Sequence, residues 1–203
     1  MSVIYLASRS PRRRDLLAQI GIRFEPLLFR DGARADPDTD ETVRDGELPD
    51  DYVVRVTQQK ARAAWHRVTV RRGLRRMPVL VADTTVALDS EIFGKPRDRD
   101  DAMRMLGALA GTQHRVLTAV ALCAEERLEL AVSASLVTFS PLSEERIRTY
   151  VDSGEPFDKA GAYAIQGRAG AFAERIEGSY SGVMGLPLFE TASLLRQFGI
   201  AVP

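Results

Sequence analysis

The hydrophobic pattern of this chain switches repeatedly between continuous apolar runs and spaced, helix-like apolar positions, the rhythm of an α/β protein. The apolar run Val3 to Ala7 predicts a buried strand. Behind it, Ser10 is a good N-cap and Pro11 suits the first helical position, where its missing N–H costs nothing, so a helix is predicted from Pro11 to Ile20 with Gly21 as its stop. Phe24 to Leu28 reads as a short strand, and residues 31 to 51, acidic and rich in Asp, Gly and Pro, as a mobile loop. From Asp51 the positions Tyr52, Val53, Val56, Ala61, Ala64 and Trp65 recur at helical spacing until the basic segment Arg71 to Arg76 closes the helix.

The run from Pro78 to Leu88 predicts a buried strand with one carboxylate, Asp83, at its end, followed by a turn at Asp89-Ser90 and a rigid Gly94-Lys95-Pro96 loop. A helix starting at Asp98 or Asp100 presents Ala102, Met105, Leu106 and Leu109 on one face and stops at Gly111. His114 to Ala124 and Leu128 to Phe139, split by a polar turn, predict a hairpin. Ser143 caps a helix ending near Gly154, and a last helix runs from about Pro187 to Phe198, stopped by Gly199. Seven of the 15 glycines fall between residues 154 and 185, where the backbone must turn tightly or approach something closely, a ligand being the natural candidate.

Composition narrows the classes. At 203 residues the chain can build one sizeable core or two closely packed lobes, and 45% hydrophobic with 28% charged residues is ordinary globular composition. Formal net charge is zero, so nothing global argues for nucleic acid or membrane. The apolar run ahead of the arginines is too short for a signal peptide, no stretch approaches a transmembrane helix, and the one cysteine, Cys123, lies in an apolar run as a buried thiol; together these give the expectation of a cytoplasmic protein. His114 reads as a satisfied structural histidine, because no second His or Cys stands at metal spacing.

Two features point to chemistry. At the first strand–helix junction, free backbone N–H groups and the positive end of a helix dipole meet Arg9, Arg12, Arg13 and Arg14, a setting for an anion, most naturally a phosphate; a solvated helix face is the alternative for such a charge run. Of 28 basic residues 25 are arginine, and lysine is kept only at Lys60, Lys95 and Lys159, which suggests that a compact ammonium is wanted there. Asp83, in an apolar strand, either caps a local turn or faces a cleft that holds a cation; the cleft is favoured. Asp40 and Glu41 offer oxygen ligands for a metal, with a solvated acidic loop as the equal alternative. Gln166 carries an amide suited to reading a base edge or, equally, to binding backbone. A Gly-x4-Gly-Lys-Ser/Thr loop is absent, and Cys123 lacks an arginine six positions on, which excludes P-loop NTPases and cysteine phosphatases.

Four stretches in order, LASRSPRRRDLL at 6–17, YVVRVTQQKA at 52–61, VADTTVALDSEIFGKP at 81–96 and GEPFDKAGAYAIQGRAGAFAERIEGSYSGVMGLP at 154–187, resemble the Maf family of nucleoside triphosphate pyrophosphatases, and the resemblance covers essentially the whole chain as one domain, 1–203. All three lysines lie inside these stretches. The resemblance implies an α/β fold with a central mixed sheet flanked by helices and an active-site cleft between two lobes. It also implies divalent-metal-dependent hydrolysis, with Mg2+ or Mn2+, of a nucleoside triphosphate to the monophosphate and pyrophosphate, an activity that would also serve to remove non-canonical nucleotides. By position Asp83 matches the family's proton acceptor, and Arg12, Thr84 and Gln166 match its specificity determinants, in the pattern that prefers dTTP and UTP over 7-methyl-GTP. Ser8, Ser10, Arg13, Lys60 and Lys95 are expected on the phosphates, with Lys159 as an additional cleft residue. The acidic loop is longer than the family's usual one, and Glu41, with Asp83, is assigned there as a metal ligand. A homodimer is allowed. A nucleotide-binding regulator acting in cell-division arrest is the rival reading, one that would have no use for Asp83.

Overall fold

The computed structural model describes residues 3–27 and 39–202. Among these, seven strands form one mixed sheet: β1 (Val3–Leu6), β2 (Arg23–Pro26), β3 (Val79–Leu88), β4 (Glu91–Phe93), β5 (Gln113–Ala124), β6 (Arg127–Phe139) and β7 (Ala173–Glu177). The order is β2-β1-β3-β5-β6-β7, with β4 paired to β3. The helices are α1 (Pro11–Gln19), α2 (Pro49–Val70), α3 (Arg99–Leu109), α4 (Glu144–Asp152), the single turn α5 (Tyr180–Val183) and α6 (Leu188–Gln197). None of the helices described is long and apolar enough to cross a membrane.

Local chemistry sets the element ends where the pattern predicted them. Ser10 Oγ accepts from Arg13 N at the start of α1, Asp98 from Asp101 N at α3, and Ser143 from Arg146 N at α4. Gly21, Gly111 and Gly199 follow three of the helices with φ near +70°, the left-handed conformation that ends a helix without steric penalty. Helix α2 begins at Pro49, two residues ahead of the expected start. The predicted strand end at Leu28 and most of the expected 31–51 loop lie outside the described residues.

The sheet contains a divergence that positions most of the candidate site residues. β1 runs parallel to β3 but pairs with it only at Tyr5↔Val79 and Leu6↔Leu80, closed by the bond from Ala7 N to Leu80 O at 2.9 Å. β3 continues to Leu88 with β5 antiparallel along one edge, and β4 takes up its other edge only from Val86. Between them Asp83 and Thr84 lie on a stretch of β3 that no described strand pairs with on the β1 side. Asp83 is therefore in the middle of its strand, where the pattern placed it at the end. The apolar run is continuous because β5 supports it throughout; what ends near Asp83 is the neighbouring strand.

The core divides at the same place. Around the far half of β3, Val86, Phe93, Leu106, Val116, Phe139, Ile147 and Tyr163 pack together. Around the near half, Ile4, Leu6, Leu17, Leu80 and Leu195 fill one sheet face, and Tyr5, Ala61, Ala64, Val79 and Val81 fill the other under α2. The glycine-rich 154–185 segment, expected to turn tightly or approach something closely, also contains β7 and α5. β7 pairs with β6 as an edge strand and has half-buried or exposed residues throughout, so its sequence lacks an apolar signature.

Candidate active site

Where β1 leaves the sheet, its chain turns into α1, and the turn is tied by its own side chains. Ser8 Oγ accepts from Ser10 N at 3.2 Å, and Ser10 caps α1. Leu16 and Leu17 bury one face of α1 in the core. On its other side Arg13 is fixed by three donations: Nε to Gly185 O at 2.6 Å, Nη2 to Thr84 Oγ1 at 3.1 Å and Nη1 to Ser8 Oγ at 3.5 Å. Gly185 has φ +109° and a Cβ there would stand 3.4 Å from both Arg13 Nε and Thr84 Oγ1, so the guanidinium approaches a backbone that must be glycine. Burial draws the Arg13 pKa below its ordinary value, and the negative charges of Asp83 and Glu41 oppose that shift.

Thr84 hands this support deeper into the fold. Thr118 Oγ1 donates to Gly182 O at 2.8 Å, so it accepts from Thr84 Oγ1 at 3.0 Å, and Thr84 in turn accepts from Arg13. Thr84, expected as a specificity residue, thus spends its hydroxyl holding Arg13.

Asp83 points to the opposite face of β3, toward α2. There Lys60 Nζ donates to Asp83 Oδ1 at 2.6 Å and pairs with Glu41 Oε1 at 2.7 Å, so one ammonium bridges two carboxylates. Burial works to lower the Lys60 pKa and is outweighed by the two carboxylates, leaving it raised. Burial likewise works to raise the Glu41 carboxyl, and Lys60, helped by Lys95 and Arg13, holds it below the ordinary range. Glu41 is delivered by α2: Tyr52 Oη donates to Glu41 O at 3.1 Å, and Arg55 donates to Asp40 O, Thr42 O and the Glu47 carboxylate. Asp40 turns away and caps Thr42 N.

Of the residues expected from the sequence, Ser8, Ser10, Arg13, Lys60, Asp83, Thr84 and Glu41 form one connected group at the divergence. Lys95 is exposed on the loop after β4 and acts on Glu41 through its charge. Lys159 pairs with the neighbouring Asp158 and stays outside that group, although Gly161 N donates to Gly94 O and so docks its segment on the Lys95 loop. Arg12 is half-buried and its charge reaches Tyr150, while Gln166 is exposed on a separate turn. His114 is half satisfied rather than fully so: Nε2 meets Tyr163 Oη at 2.9 Å, and buried Nδ1 has no partner. The sequence reading missed Tyr52, Arg55, Thr118 and Gly185, each of which works by touching a residue distant in the chain. For Tyr52 and Arg55 a signal exists, two large polar side chains three apart on the first turns of a helix that follows an acidic loop.

A cationic strand–helix turn beside two carboxylates that share one cation, on an α/β scaffold, is a setting suited to a phosphate ester or anhydride. The chain belongs to the Maf family: the family model described as Maf-like protein matches residues 3–198. It is similar to the dTTP/UTP pyrophosphatase of Cupriavidus pinatubonensis, 58% identical over 194 residues and 96% of each chain. The dTTP/UTP pyrophosphatase of Cupriavidus metallidurans is 56% identical over 199 residues and 98% of each chain. That of Nitrosomonas europaea is 55% identical over 199 residues, 98% of this chain and 96% of its own.

Proposed function

We propose that this protein is a nucleoside triphosphate pyrophosphatase that hydrolyses dTTP and UTP to the monophosphate and pyrophosphate. The observation that carries the reading is the Glu41–Lys60–Asp83 bridge beside the Arg13 turn, because it joins two carboxylates through one ammonium within reach of the charges of Arg13 and Lys95. Cleavage between the α- and β-phosphorus needs positive charge on the leaving pyrophosphate and a water in line behind the α-phosphorus. Arg13, Lys60, Lys95 and the Ser8–Ser10 turn supply the first. Asp83 supplies the base: Oδ1 is engaged by Lys60, and Oδ2 takes the water proton as the new P–O bond forms and the bridging P–O bond breaks.

Glu41 and Asp83 supply hard carboxylate oxygens of the kind a divalent cation takes, and they would hold one where the Lys60 ammonium now bridges them, with Lys60 moved onto the substrate phosphates; no group of three acidic, His or Cys side chains able to hold a metal occurs among the described residues. Mg2+ and Mn2+ suit a site with one or two carboxylates completed by substrate phosphates. Such a metal would lower the pKa of bound water and neutralise phosphate charge. Arg12 and Gln166 are the residues proposed to read the base. Thymine and uracil share an acceptor–donor–acceptor edge, whereas cytosine presents an amino donor where they have a carbonyl. The proposed setting is the cytoplasm, where the buried Cys123 thiol would stay reduced.

The test is product analysis with the purified protein, Mg2+ and a panel of nucleotides. Pyrophosphate from dTTP and UTP is expected, and Asp83→Asn should lower turnover by about 100-fold or more while the protein still folds. Orthophosphate as first product, or near-normal turnover in that variant, would overturn the mechanism.

A further inference from the structure

Gln166 stands at the tip of a turn closed by Gly167 N donating to Ala164 O at 2.9 Å. A glutamine exposed on such a turn reads a base only if the turn is held still, since an amide free to swing gives up in ordering whatever it gains in hydrogen bonding. Both ends of the turn are held, and by two side chains that touch each other. Tyr150 Oη accepts from Ala164 N at 3.3 Å on the entering side. Glu155 Oε2 accepts from Arg168 N at 3.2 Å on the leaving side. Tyr150 Oη then donates to Glu155 Oε1 at 3.0 Å and closes the bracket.

The fit around this pair is specific. Glu155 occupies the space where residue 167 would carry a side chain: a Cβ on Gly167 would lie 2.0 Å from Glu155 Oε1. A side chain at 167 would therefore push the Glu155 carboxylate out of its place over the turn, although the φ of −101° at Gly167 is itself ordinary. Tyr150 is buried on α4, its ring set edge-on to Phe172 at 5.2 Å, so its hydroxyl is delivered from the rigid far half of the core. Burial raises the phenol pKa, which keeps the donated proton in place, and the Arg12 charge acts on the same phenol. Arg12 and the Gln166 turn thus act on the same side chain, the first through its charge and the second through the bond from Ala164 N.

We propose that Tyr150 and Glu155 are positioning residues for substrate specificity, a clamp that presents the Gln166 amide to the pyrimidine base. The clamp touches neither the phosphates nor Asp83, so it should act on base choice and leave the hydrolytic step alone. The proposal rests on Gln166 reading the base, and the experiment includes Gln166→Ala to separate the two ideas.

The measurement is kcat and KM for UTP and CTP in the wild type, Gln166→Ala, Tyr150→Phe, Glu155→Ala and Glu155→Gln, with melting temperatures alongside. Tyr150→Phe removes one oxygen and keeps the ring. The expected result is a fall of about fivefold or more in the UTP/CTP ratio of kcat/KM for Gln166→Ala, Tyr150→Phe and Glu155→Ala, mostly through a higher KM for UTP. Glu155→Gln, which retains a carbonyl oxygen for Arg168 N, should recover part of the ratio. A lowered ratio in Gln166→Ala with an unchanged one in Tyr150→Phe and Glu155→Ala overturns the clamp alone. An unchanged ratio in Gln166→Ala overturns the reading of the base by Gln166, and the clamp with it. An equal loss of kcat on both nucleotides, together with a lowered melting temperature, would make the pair merely structural and also overturn the proposal.

Discussion

Replacing Lys60 by methionine keeps the length and apolar stem of the side chain and removes its charge, which isolates the electrostatics of the bridge. In the wild type the ammonium lies 2.6 Å from Asp83 Oδ1 and 2.7 Å from Glu41 Oε1. Without it the two carboxylates face each other across roughly 5 Å, a repulsion of about 3 kcal/mol at an effective dielectric near 20. The Glu41 side chain is 34% exposed, so water and salt reduce this to about 2 kcal/mol. With the lost attraction included, the variant should be roughly 2–4 kcal/mol less stable near pH 7.

The pH dependence separates this from a packing defect. In the wild type Glu41 titrates below its ordinary value, so its contribution is present above the unfolded carboxyl pKa and is lost as pH falls through the folded one. Lys60 titrates above its ordinary value, so its contribution is present below the unfolded lysine pKa and is lost only as alkali passes the folded one. In the variant the Glu41 carboxyl should rise instead, and protonating it relieves the repulsion. The stability gap between the two proteins should be widest at pH 6 to 8 and should narrow toward pH 4.5, read from urea midpoints at each pH. A gap of the same size at pH 4.5 and 7.5, or no gap, would refute the bridge as an electrostatic element.

Lys95→Ala should lower kcat/KM for dTTP by about 10-fold or more, whereas the double change Arg75→Ala and Arg76→Ala, on exposed residues, should alter it less than about twofold, as steady-state kinetics would show. Thr118→Val removes one of the two bonds to Gly182 O, which keeps Gly185 N, and the acceptor of the Thr84 hydroxyl proton, while Thr84 Oγ1 keeps Arg13; it should cost about 1 kcal/mol in chemical denaturation, with weaker triphosphate binding as Arg13 loosens. Burial lowers the His114 pKa to about 4, so below pH 6.5 the unfolded chain takes up a proton that the folded one refuses, and stability falls with acidification by up to about 3 kcal/mol. His114→Gln should flatten that part of the denaturation midpoint between pH 7 and 4.5, and an unchanged slope would count against it.

The parts of the fold legible in the sequence are those fixed by neighbours in the chain. Ser10-Pro11 marks the start of α1 because cap and first turn are local chemistry, and the β5–β6 hairpin follows from two long apolar runs about one polar turn. β7 escaped because an edge strand half open to solvent needs no apolar alternation, and its register is dictated by β6. The same division runs through the site. Asp83 stands out as a carboxylate in an apolar run and Lys60 as one of three lysines among 28 basic residues, since burying a charge or keeping a rare residue leaves a mark in composition. That they meet depends on α2 packing under β3, and on Tyr52 and Arg55 drawing Glu41 onto α2, contacts with no counterpart in local pattern.

Why the proposed site lies at Asp83 follows from the sheet rather than from the strand. A β-strand offers charged side chains to a ligand only where neighbouring backbone stands aside, because a strand paired on both edges and covered on both faces must bury them. β1 pairs with β3 for two residues and then turns into α1, which opens the β3 edge and at the same point directs the N-terminal turn of α1 at the opening. The cation-rich turn and the carboxylate are thus brought together by one event, the departure of β1, just as ligands in other open α/β sheets bind where neighbouring strands diverge. Arg13 fastens the two sides, bonded to Thr84 on the strand that stays and to Ser8 on the turn that leaves. An Arg13→Lys change would keep the charge and lose this fastening, since a single ammonium cannot span Gly185 O, Thr84 Oγ1 and Ser8 Oγ in the geometry of the guanidinium fork.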